Sequence, residues 1–419
     1  MAVSDLRRVD VELDGGLEDL TIASRPRVLV VARRHGVPVG SRLFERAPPR
    51  HRDALVGELL MRPDEPPGSS GTRLSVTVAV CTRDRPELLG RCLDSVVAAA
   101  AVAAREAELE LLVVDNGSAD GETLRIARAS GARCVREPVP GLDFARNRAV
   151  RESSGEVVAF VDDDAVVDPT WLRTLVRSFA AHPEARAISG QVLALRVDTP
   201  ARFEFERTTG FSLGWEPTTF TLALGPEMPF RPGMGVGCNM AFRRGALDEV
   251  GPFDEALDTG RPLPGGGDLD MMIRMVLAGG VFFEPSATVF HEHRADWAGL
   301  RYQFYTWGKG WAAVLDKWYR SDPAYRRRIR GVAKAMVRSL VGGVVRGRRR
   351  TGSYRRWHCV LFGVGFAAGW MGTYGRSVKR VDARRRAAQP ALRPPTASTA
   401  ARPPPLDGSG PGAGGGAGA

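Results

Sequence analysis

The sequence predicts an α/β fold built around a mainly parallel sheet, and three observations lead to that prediction. From Ser75 onward, short runs of β-branched residues alternate with segments of helical periodicity. Several of these runs end in acidic or polar residues, as strands do at the ligand-binding edge of an open α/β sheet. With 419 residues and 43% hydrophobic side chains, the chain can bury one large core or two smaller ones.

The individual elements follow from the periodicity of the apolar residues. A strand is predicted at 76–80, and a helix follows it because apolar residues then recur at helical spacing. A second strand is predicted at 109–114, and a short third strand near Cys134. A helix at 142–152 then leads into a wholly apolar strand at 157–161.

Composition divides the chain into four parts. Residues 1–72 are predicted to be a small N-terminal module that ends in a Pro/Gly/Ser-rich linker at 63–71. The α/β domain is predicted to cover 73–312, and a basic, amphipathic helical region 313–387. The tail, 388–419, consists mostly of Pro, Ala, Gly and Thr and is predicted to be disordered.

Charge and cysteine content narrow the functional classes. The net charge of +11 is concentrated between Arg320 and Arg386, which predicts an anionic partner for the C-terminal third. The five cysteines are scattered without the spacing of a zinc site, so reduced thiols in a cytosolic compartment are expected. The first fifteen residues lack the apolar stretch of a signal peptide, so the catalytic part is expected to stay inside the cell.

The strongest chemical signal is the triplet Asp162-Asp163-Asp164 at the end of the apolar strand. Adjacent carboxylates repel one another, and a divalent cation such as Mg²⁺ or Mn²⁺ removes that repulsion. Residues two apart in an extended segment point the same way, so Asp162 and Asp164 can face one metal while Asp163 points elsewhere. A solvated acidic turn is the alternative, but the buried strand before the triplet favours the metal.

The other strand ends carry polar residues that a nucleotide could span. Thr82 and Arg83 follow the first strand, and Asp115 follows the second. In a parallel sheet these loops share an edge with Asp162, although each residue alone could equally be a helix N-cap.

Two further groups lie later in the chain. A glycine-rich loop places Asp268 and Asp270 at the start of a helix, where Asp268 is either a cap or a general base for an acceptor hydroxyl. His291 and His293 follow an apolar run, and either could ligate a metal or be structural.

Five segments, in order, resemble the family 2 glycosyltransferases, which have the GT-A fold. They are the opening strand and nucleotide loop VTVAVCTRDR (76–85), LVVDNGSAD (112–120), GLDFARN (141–147), the aspartate triplet, and GGDLD (266–270) continuing to Arg274. The resemblance covers Ser75 to Trp311. It implies an inverting sugar transfer from a nucleotide-sugar donor, assisted by a divalent cation, Mg²⁺ or Mn²⁺.

The resemblance also implies roles for individual residues. Asp268 is the expected catalytic base, with Gly267, Asp270 and Arg274 on the acceptor side; many relatives carry Glu at position 267. The expected metal ligands are Asp162, Asp164 and, in preference to His293, His291. The donor nucleotide is expected to meet Thr82, Arg83, Asp115, Arg146, Asn147, Asp162 and Asp163.

The C-terminal third of the sequence indicates where the protein is located and how it meets its acceptor. Basic runs beside the mostly apolar segment 357–374 favour helices at an anionic membrane surface, with packing on the catalytic domain as the alternative. The segment includes His358 and four glycines and is marginal as a spanning helix. Arg356-Trp357 lacks the glutamine of the processive synthases, so transfer of one sugar per encounter is expected.

The expected donor is a UDP- or dTDP-sugar, and the expected acceptor a cell-envelope glycan or lipid-linked intermediate at the inner face of the membrane. A nucleotidyltransferase is one rival, but the loop after the first strand lacks glycine. A basic nucleic-acid-binding protein is another, and a silent sugar-nucleotide-binding relative a third. A nucleic-acid-binding protein would not need the ordered acidic strand ends. Its basic residues should also be interleaved with a recognisable binding fold, and the sequence shows no such fold.

Overall fold

The computed structural model describes residues 8–14, 27–46, 57, 59–63, 71, 73–231, 233–258, 260, 263–350 and 354–392. The first seven residues, most of the predicted linker and nearly all of the predicted tail lie outside the described residues. Two sheets make up the β structure, a four-stranded N-terminal sheet and a nine-stranded central sheet.

The N-terminal module forms the four-stranded sheet, with strands in the order of the sequence. They are β1 (Arg8–Glu12), β2 (Val28–Arg34), β3 (Val37–Phe44) and β4 (Leu60–Met61). β1 runs parallel to β2, and the other two pairs are antiparallel.

The central sheet is mixed. Its strands are β5 (Leu74–Thr82), β6 (Ala107–Asp115), β7 (Arg133–Arg136), β8 (Val157–Asp162), β9 (Ala165–Val167), β10 (Ala187–Ala194), β11 (Thr218–Phe220), β12 (Met240–Arg243) and β13 (Val281–His291). The spatial order is β11-β13-β10-β12-β8-β5-β6-β7, and β9 pairs with β13. Strands β5 to β8 are parallel, as their alternation with helices predicts, whereas β12 lies antiparallel between β8 and β10.

Eleven α-helices occur among the described residues. They are α1 (Pro86–Ala103), α2 (Glu122–Ala129), α3 (Leu142–Glu152), α4 (Trp171–Ala181), α5 (Pro200–Thr208), α6 (Arg244–Val250), α7 (Gly267–Leu277), α8 (Trp297–Ser321), α9 (Arg326–Arg350), α10 (Tyr354–Trp370) and α11 (Thr373–Leu392). Side chains alternate across the sheet, so Val78 and Val80 join the core formed with α1 and α4, while Ala79 joins the core formed with α3 and α7. The α/β prediction is therefore confirmed.

The N-terminal sheet packs directly on the central sheet. Leu29 and Val31 share a buried apolar cluster with Phe290 of β13. Arg62 is buried and donates to Glu284 Oε1 at 2.8 Å, also on β13. A buried ion pair of this kind sets the relative position of two elements, because either charge left alone would be costly. The module therefore supports the strand that ends at His291.

The C-terminal helices pack on the α/β domain through glycines. The residue-312 boundary predicted for that domain falls inside α8, which continues to Ser321. A Cβ on Gly308 would overlap the carbonyl of Phe362, and one on Gly365 would overlap the carbonyl of Tyr305. The backbones of α8 and α10 therefore touch. In the described part of the chain, none of the helices combines the length and hydropathy needed to cross a bilayer.

This close crossing predicts opposite effects for two glycines in α10. Gly365→Ala should lower the free energy of unfolding by about 1–3 kcal/mol, because the new methyl group has to separate the two helices. Gly363→Ala is the matched control, since its Cβ would lie 3.7 Å from Leu340 and alanine favours a helix. Chemical denaturation of both variants measures the difference; equal stabilities would contradict the crossing.

Candidate active site

The strand ends converge at one edge of the central sheet, as predicted. Thr82 pairs with Asp115, and its neighbour Cys81 pairs with Asp162, because β6, β5 and β8 are adjacent and parallel. A cavity of about 590 Å³ opens near this edge. Among the residues lining it are Asp162, His291, Arg146 and Asp268, together with aromatic side chains of α8.

The three aspartates of the triplet have different environments. Asp163 is buried and accepts from Thr82 Oγ1 at 2.7 Å and from Arg85 Nη1 at 3.0 Å. Asp164 Oδ1 lies 3.1 Å from His291 Nε2, and its other oxygen lies 3.4 Å from Arg85. Asp162 faces the cavity. Asp163 is thus held by protein groups, while Asp162 and Asp164 lie on the His291 side.

The charges of this group are strongly perturbed. Burial, followed by repulsion from Asp164, raises the pKa of Asp162 to about 6. Burial also acts to raise the pKa of Asp164, but the His291 imidazole and Arg85 lower it to about 2. Burial acts to lower the pKa of His291, yet the Asp164 carboxylate raises it. The His291 imidazole is therefore the group of β13 that pairs with Asp164.

These side chains fit a divalent cation. Donor atoms of Asp162, Cys238 and His291 all lie within 4.8 Å of one another. Buried His291 Nδ1 has no hydrogen-bond partner among the described residues. Burial raises the pKa of the Cys238 thiol well above its usual value. Sulfur is also a soft ligand, whereas hard cations such as Mg²⁺ prefer oxygen. Asp162, Asp164 and His291 therefore remain the predicted ligands.

His293 has a different environment. Its Nε2 lies 2.9 Å from Glu206 Oε2, and its ring packs edge-on against Phe205 of α5. Burial lowers its pKa. His293 thus joins α5 to the segment after β13 and does not line the cavity, so the preference for His291 stays the better prediction.

Asp268 lies in the first turn of α7, at the cavity wall. Its Oδ2 accepts from the Gly237 amide at 3.0 Å, and its Oδ1 accepts from the Leu269 amide at 2.8 Å. The N-cap of α7 is Gly266, which adopts a φ of +113° that favours glycine. Asp268 is therefore inside the helix, near its positive N-terminal end, and its carboxylate lines the cavity.

Arg146 connects the two sides of this cavity. It is buried and donates through Nη1 to Asp143 Oδ1 at 2.9 Å and to Asp258 Oδ2 at 3.2 Å. Asp258 Oδ2 also accepts from the Gly267 amide at 2.9 Å. The attraction of these carboxylates, and of Asp162 and Asp268, outweighs burial and raises the pKa of Arg146. Arg146 therefore remains charged.

Three other predicted site residues, Asp270, Arg274 and Asn147, hold the helices around the cavity in place. Asp270 is buried away from it and accepts from Trp318 Nε1 at 2.9 Å and Lys317 Nζ at 2.8 Å, and Arg274 binds the same carboxylate. Asn147 binds the backbone of Phe253. These residues anchor α7 and α3 to their neighbours, and none of them lines the cavity.

Two residues predicted to contact the donor, Asp115 and Arg83, also lie outside the cavity lining. Asp115 accepts from the Ser118 amide at 2.7 Å and pairs with Arg136 at 3.1 Å, which closes the turn after β6. The Arg83 side chain is half exposed and lies 3.5 Å from Asp84. The structure does not bring either residue into the cavity wall, and their nucleotide contacts stay predictions.

Sequence reasoning missed four residues of the site: Asp143, Asp258, Arg85 and Cys238. Asp143 and Arg85 lie inside segments that carry the family resemblance, so charge within those segments was the available signal. Asp258 adopts a φ of +47° in an irregular loop, and no periodic pattern marks it. Cys238 is one of five scattered cysteines and stands out only once β12 is placed beside β8.

Comparisons with known proteins agree with the resemblance. The family model described as glycosyl transferase family 2 matches residues 77–251. Glucosyl-dolichyl phosphate glucuronosyltransferase of Haloferax volcanii is 30% identical over 196 residues, which are 45% of this chain and 58% of that protein. The succinoglycan biosynthesis protein ExoM of Rhizobium meliloti is 32% identical over 239 residues, 54% of this chain and 71% of ExoM.

Among solved structures, the mannosyltransferase PcManGT from Pyrobaculum calidifontis, in complex with GDP-Man and Mn²⁺, aligns with a TM-score of 0.46 and 19% identity. The alignment covers 78% of this chain and 89% of that one. The mixed sheet agrees with the α/β fold class predicted from the sequence. On the identity and coverage shared with ExoM, together with the family match, the chain belongs to the family 2 glycosyltransferases.

Proposed function

We propose that the protein is an inverting glycosyltransferase that moves a sugar from a UDP- or dTDP-sugar to an acceptor hydroxyl. The observation that carries the proposal is one cavity lined by two kinds of acidic group. Asp162 lines it together with His291, which has Asp164 beside it, and Asp268 at the start of α7 lines the same cavity. A cavity with both groups suits a donor diphosphate next to an acceptor hydroxyl.

The reaction is a single displacement. The acceptor oxygen attacks the anomeric carbon while the bond from that carbon to the diphosphate oxygen breaks, and the diphosphate leaves with the bonding electron pair. Asp268 takes the proton of the acceptor hydroxyl, and its two backbone hydrogen bonds hold the carboxylate in place. A divalent cation held by Asp162, Asp164 and His291 would neutralise charge on the diphosphate when bound. Arg294, which is exposed and lines the cavity, is a protein cation that can contribute to neutralising the same charge.

The aromatic lining of the cavity suggests a glycan or a lipid-linked sugar as the acceptor. Phe211, Tyr302, Trp307 and Trp311 line it, and the Phe211 ring lies edge-on to His291 with the centroids 5.4 Å apart. Aromatic faces bury apolar area while leaving polar edges accessible, which suits the apolar face of a sugar ring. A cell-envelope glycan or lipid-linked intermediate is therefore the proposed acceptor class.

The outer face of α9 supports a membrane location. Val337, Val341 and Val345 recur every four residues on α9 and are 49%, 57% and 64% exposed. Exposed Arg330, Lys334 and Arg338 share that face at the same spacing. Valines interleaved with cations suit an anionic bilayer surface, where each cation contributes about 1 kcal/mol. We therefore place the enzyme peripherally on the inner face of the cell membrane.

The base assignment predicts a specific kinetic defect. Asp268→Asn should lower turnover by roughly 10²- to 10⁴-fold, because general base catalysis is lost, while donor binding stays nearly unchanged. Release of nucleoside diphosphate reports turnover, and the nucleotide-dependent rise in melting temperature reports donor binding. Asp248→Asn, on the exposed surface of α6, is the control. Loss of donor binding in Asp268→Asn would contradict the assignment.

The donor site predicts metal-dependent stabilisation. A panel of nucleoside diphosphates and their sugars should raise the melting temperature with Mn²⁺ or Mg²⁺ and not with chelator, by mass action. Asp164→Ala should remove most of the metal-dependent rise, because a tenfold weaker complex gives about 1.4 kcal/mol less stabilisation. Asp94→Ala, exposed on α1, should behave as wild type. If no nucleotide stabilises the folded protein, the donor site is contradicted and a basic binding protein becomes the better explanation.

The membrane face predicts lipid binding that depends on charge and on the valines. The chain should sediment with phosphatidylcholine vesicles containing phosphatidylglycerol and be released by high salt. Val341→Asp should reduce sedimentation, because it places a carboxylate in the apolar stripe. Val97→Asp is the matched control, since Val97 is 44% exposed on α1, away from this face. Equal sedimentation of both variants would overturn the location.

A further inference from the structure

Asp143 occupies the space that a side chain at position 267 would need. A Cβ on Gly267 would overlap the carboxylate of Asp143, with Oδ2 the nearest atom. Gly267 is the first residue of α7 and directly precedes Asp268. Gly267 of α7 and Asp143 of α3 therefore form one packing arrangement, in which the Asp143 carboxylate fills the space that a side chain at 267 would take.

Burying the carboxylate of Asp143 costs free energy that a residue with only a packing role would not need to incur. Its side chain is fully buried, and its Oδ2 has no hydrogen-bond partner within the described structure. Burial, and then repulsion from Asp258, raise its pKa well above the usual value. An apolar side chain of similar size would avoid these costs. A buried acid retained against such costs is a candidate for a functional role.

Arg146 is the route by which Asp143 can act on the base. The Oδ1 of Asp143 accepts from Arg146 Nη1 at 2.9 Å. On its other side, Arg146 Nη2 lies 2.7 Å from the point where a Cβ on Gly237 would be, and Asp268 Oδ2 lies 3.0 Å from the same point. The guanidinium therefore contacts Asp143 and lies near the carboxylate of Asp268, whose negative charge attracts it.

We propose that Asp143 is a positioning residue for Asp268, and that it supplies from α3 the acid that a side chain at position 267 would otherwise supply from α7. The inference rests on the proposed function, in which Asp268 is the base. Glutamate at position 267, which the resemblance associates with many relatives, would reach the same space from the other helix. Asp143 can therefore be replaced without loss of function only when Gly267 is replaced by an acid at the same time.

A stability cycle tests the packing half of this proposal without any substrate. Gly267→Ala should lower the melting temperature, because its methyl group meets Asp143. The same substitution in an Asp143→Ala background should cost much less, because the obstacle is gone. Equal losses in both backgrounds would overturn the exchange.

A rescue experiment tests the functional half. UDP-glucose, UDP-N-acetylglucosamine, dTDP-rhamnose and GDP-mannose serve as donor probes with Mn²⁺, and release of nucleoside diphosphate is measured. Asp143→Ala should lower kcat by roughly 10- to 100-fold with little change in the donor KM, as expected for a group that orients a catalytic residue. Asp143→Ala/Gly267→Glu should recover most of that loss.

The matched control is Asp143→Ala/Gly267→Leu, which fills the same space without an acid and should not recover activity. A Glu variant no more active than the Leu variant overturns the proposal, as does a Glu variant that is unfolded. Asp268→Asn is assayed in parallel. Full turnover by Asp268→Asn would refute the base assignment, and hence the proposed function. An inactive Asp268→Asn together with failed rescue refutes only the role of Asp143.

Discussion

The repulsion between buried carboxylates at one sheet edge is the constraint on which the rest of the site depends. Three consecutive aspartates end β8, and desolvation disfavours the charge of each. The chain resolves this with a different partner for each one. Thr82 and Arg85 hold Asp163, the imidazole of His291 pairs with Asp164, and Asp162 is left facing the cavity with a raised pKa. This repulsion at Asp162 is the reason a cation is proposed at this edge.

The position of His291 depends in turn on elements far from it in sequence. His291 pairs with Ala194 of β10 and with Ala165 of β9, so three strands fix the end of β13. The N-terminal sheet packs on the same strand through Leu29, Val31 and the buried pair of Arg62 with Glu284. A module with no residue in the cavity thus contributes to the geometry of the candidate ligand. Its contribution is rigidity, since packing and a buried ion pair both oppose displacement of β13.

The apolar periodicity of the sequence predicts the regular helices and strands and the residues at their ends. The helix predicted at 142–152 has those bounds, and the strand predicted at 157–161 extends one residue further, to Asp162. Periodicity cannot say which polar side chain of a helix meets a partner from elsewhere. Asn147 and Arg146 are adjacent in α3, yet Asn147 binds the 253–255 loop while Arg146 reaches the cavity. Asp258 escaped prediction because its bond to the Gly267 amide joins an irregular loop to a helix end.

Arg146 couples different parts of the cavity lining through charge. Asp143 and Asp258 accept hydrogen bonds from its guanidinium and Asp268 attracts it, so three acidic side chains share one cation. The N-terminal end of α7 supplies part of the balance, since the Gly267 amide donates to Asp258 and the Leu269 amide to Asp268. Because Arg146 is also attracted by Asp162, a change of charge at the candidate cation site alters the field at the base. Asp162 and Asp268 are therefore electrostatically linked through a single buried side chain.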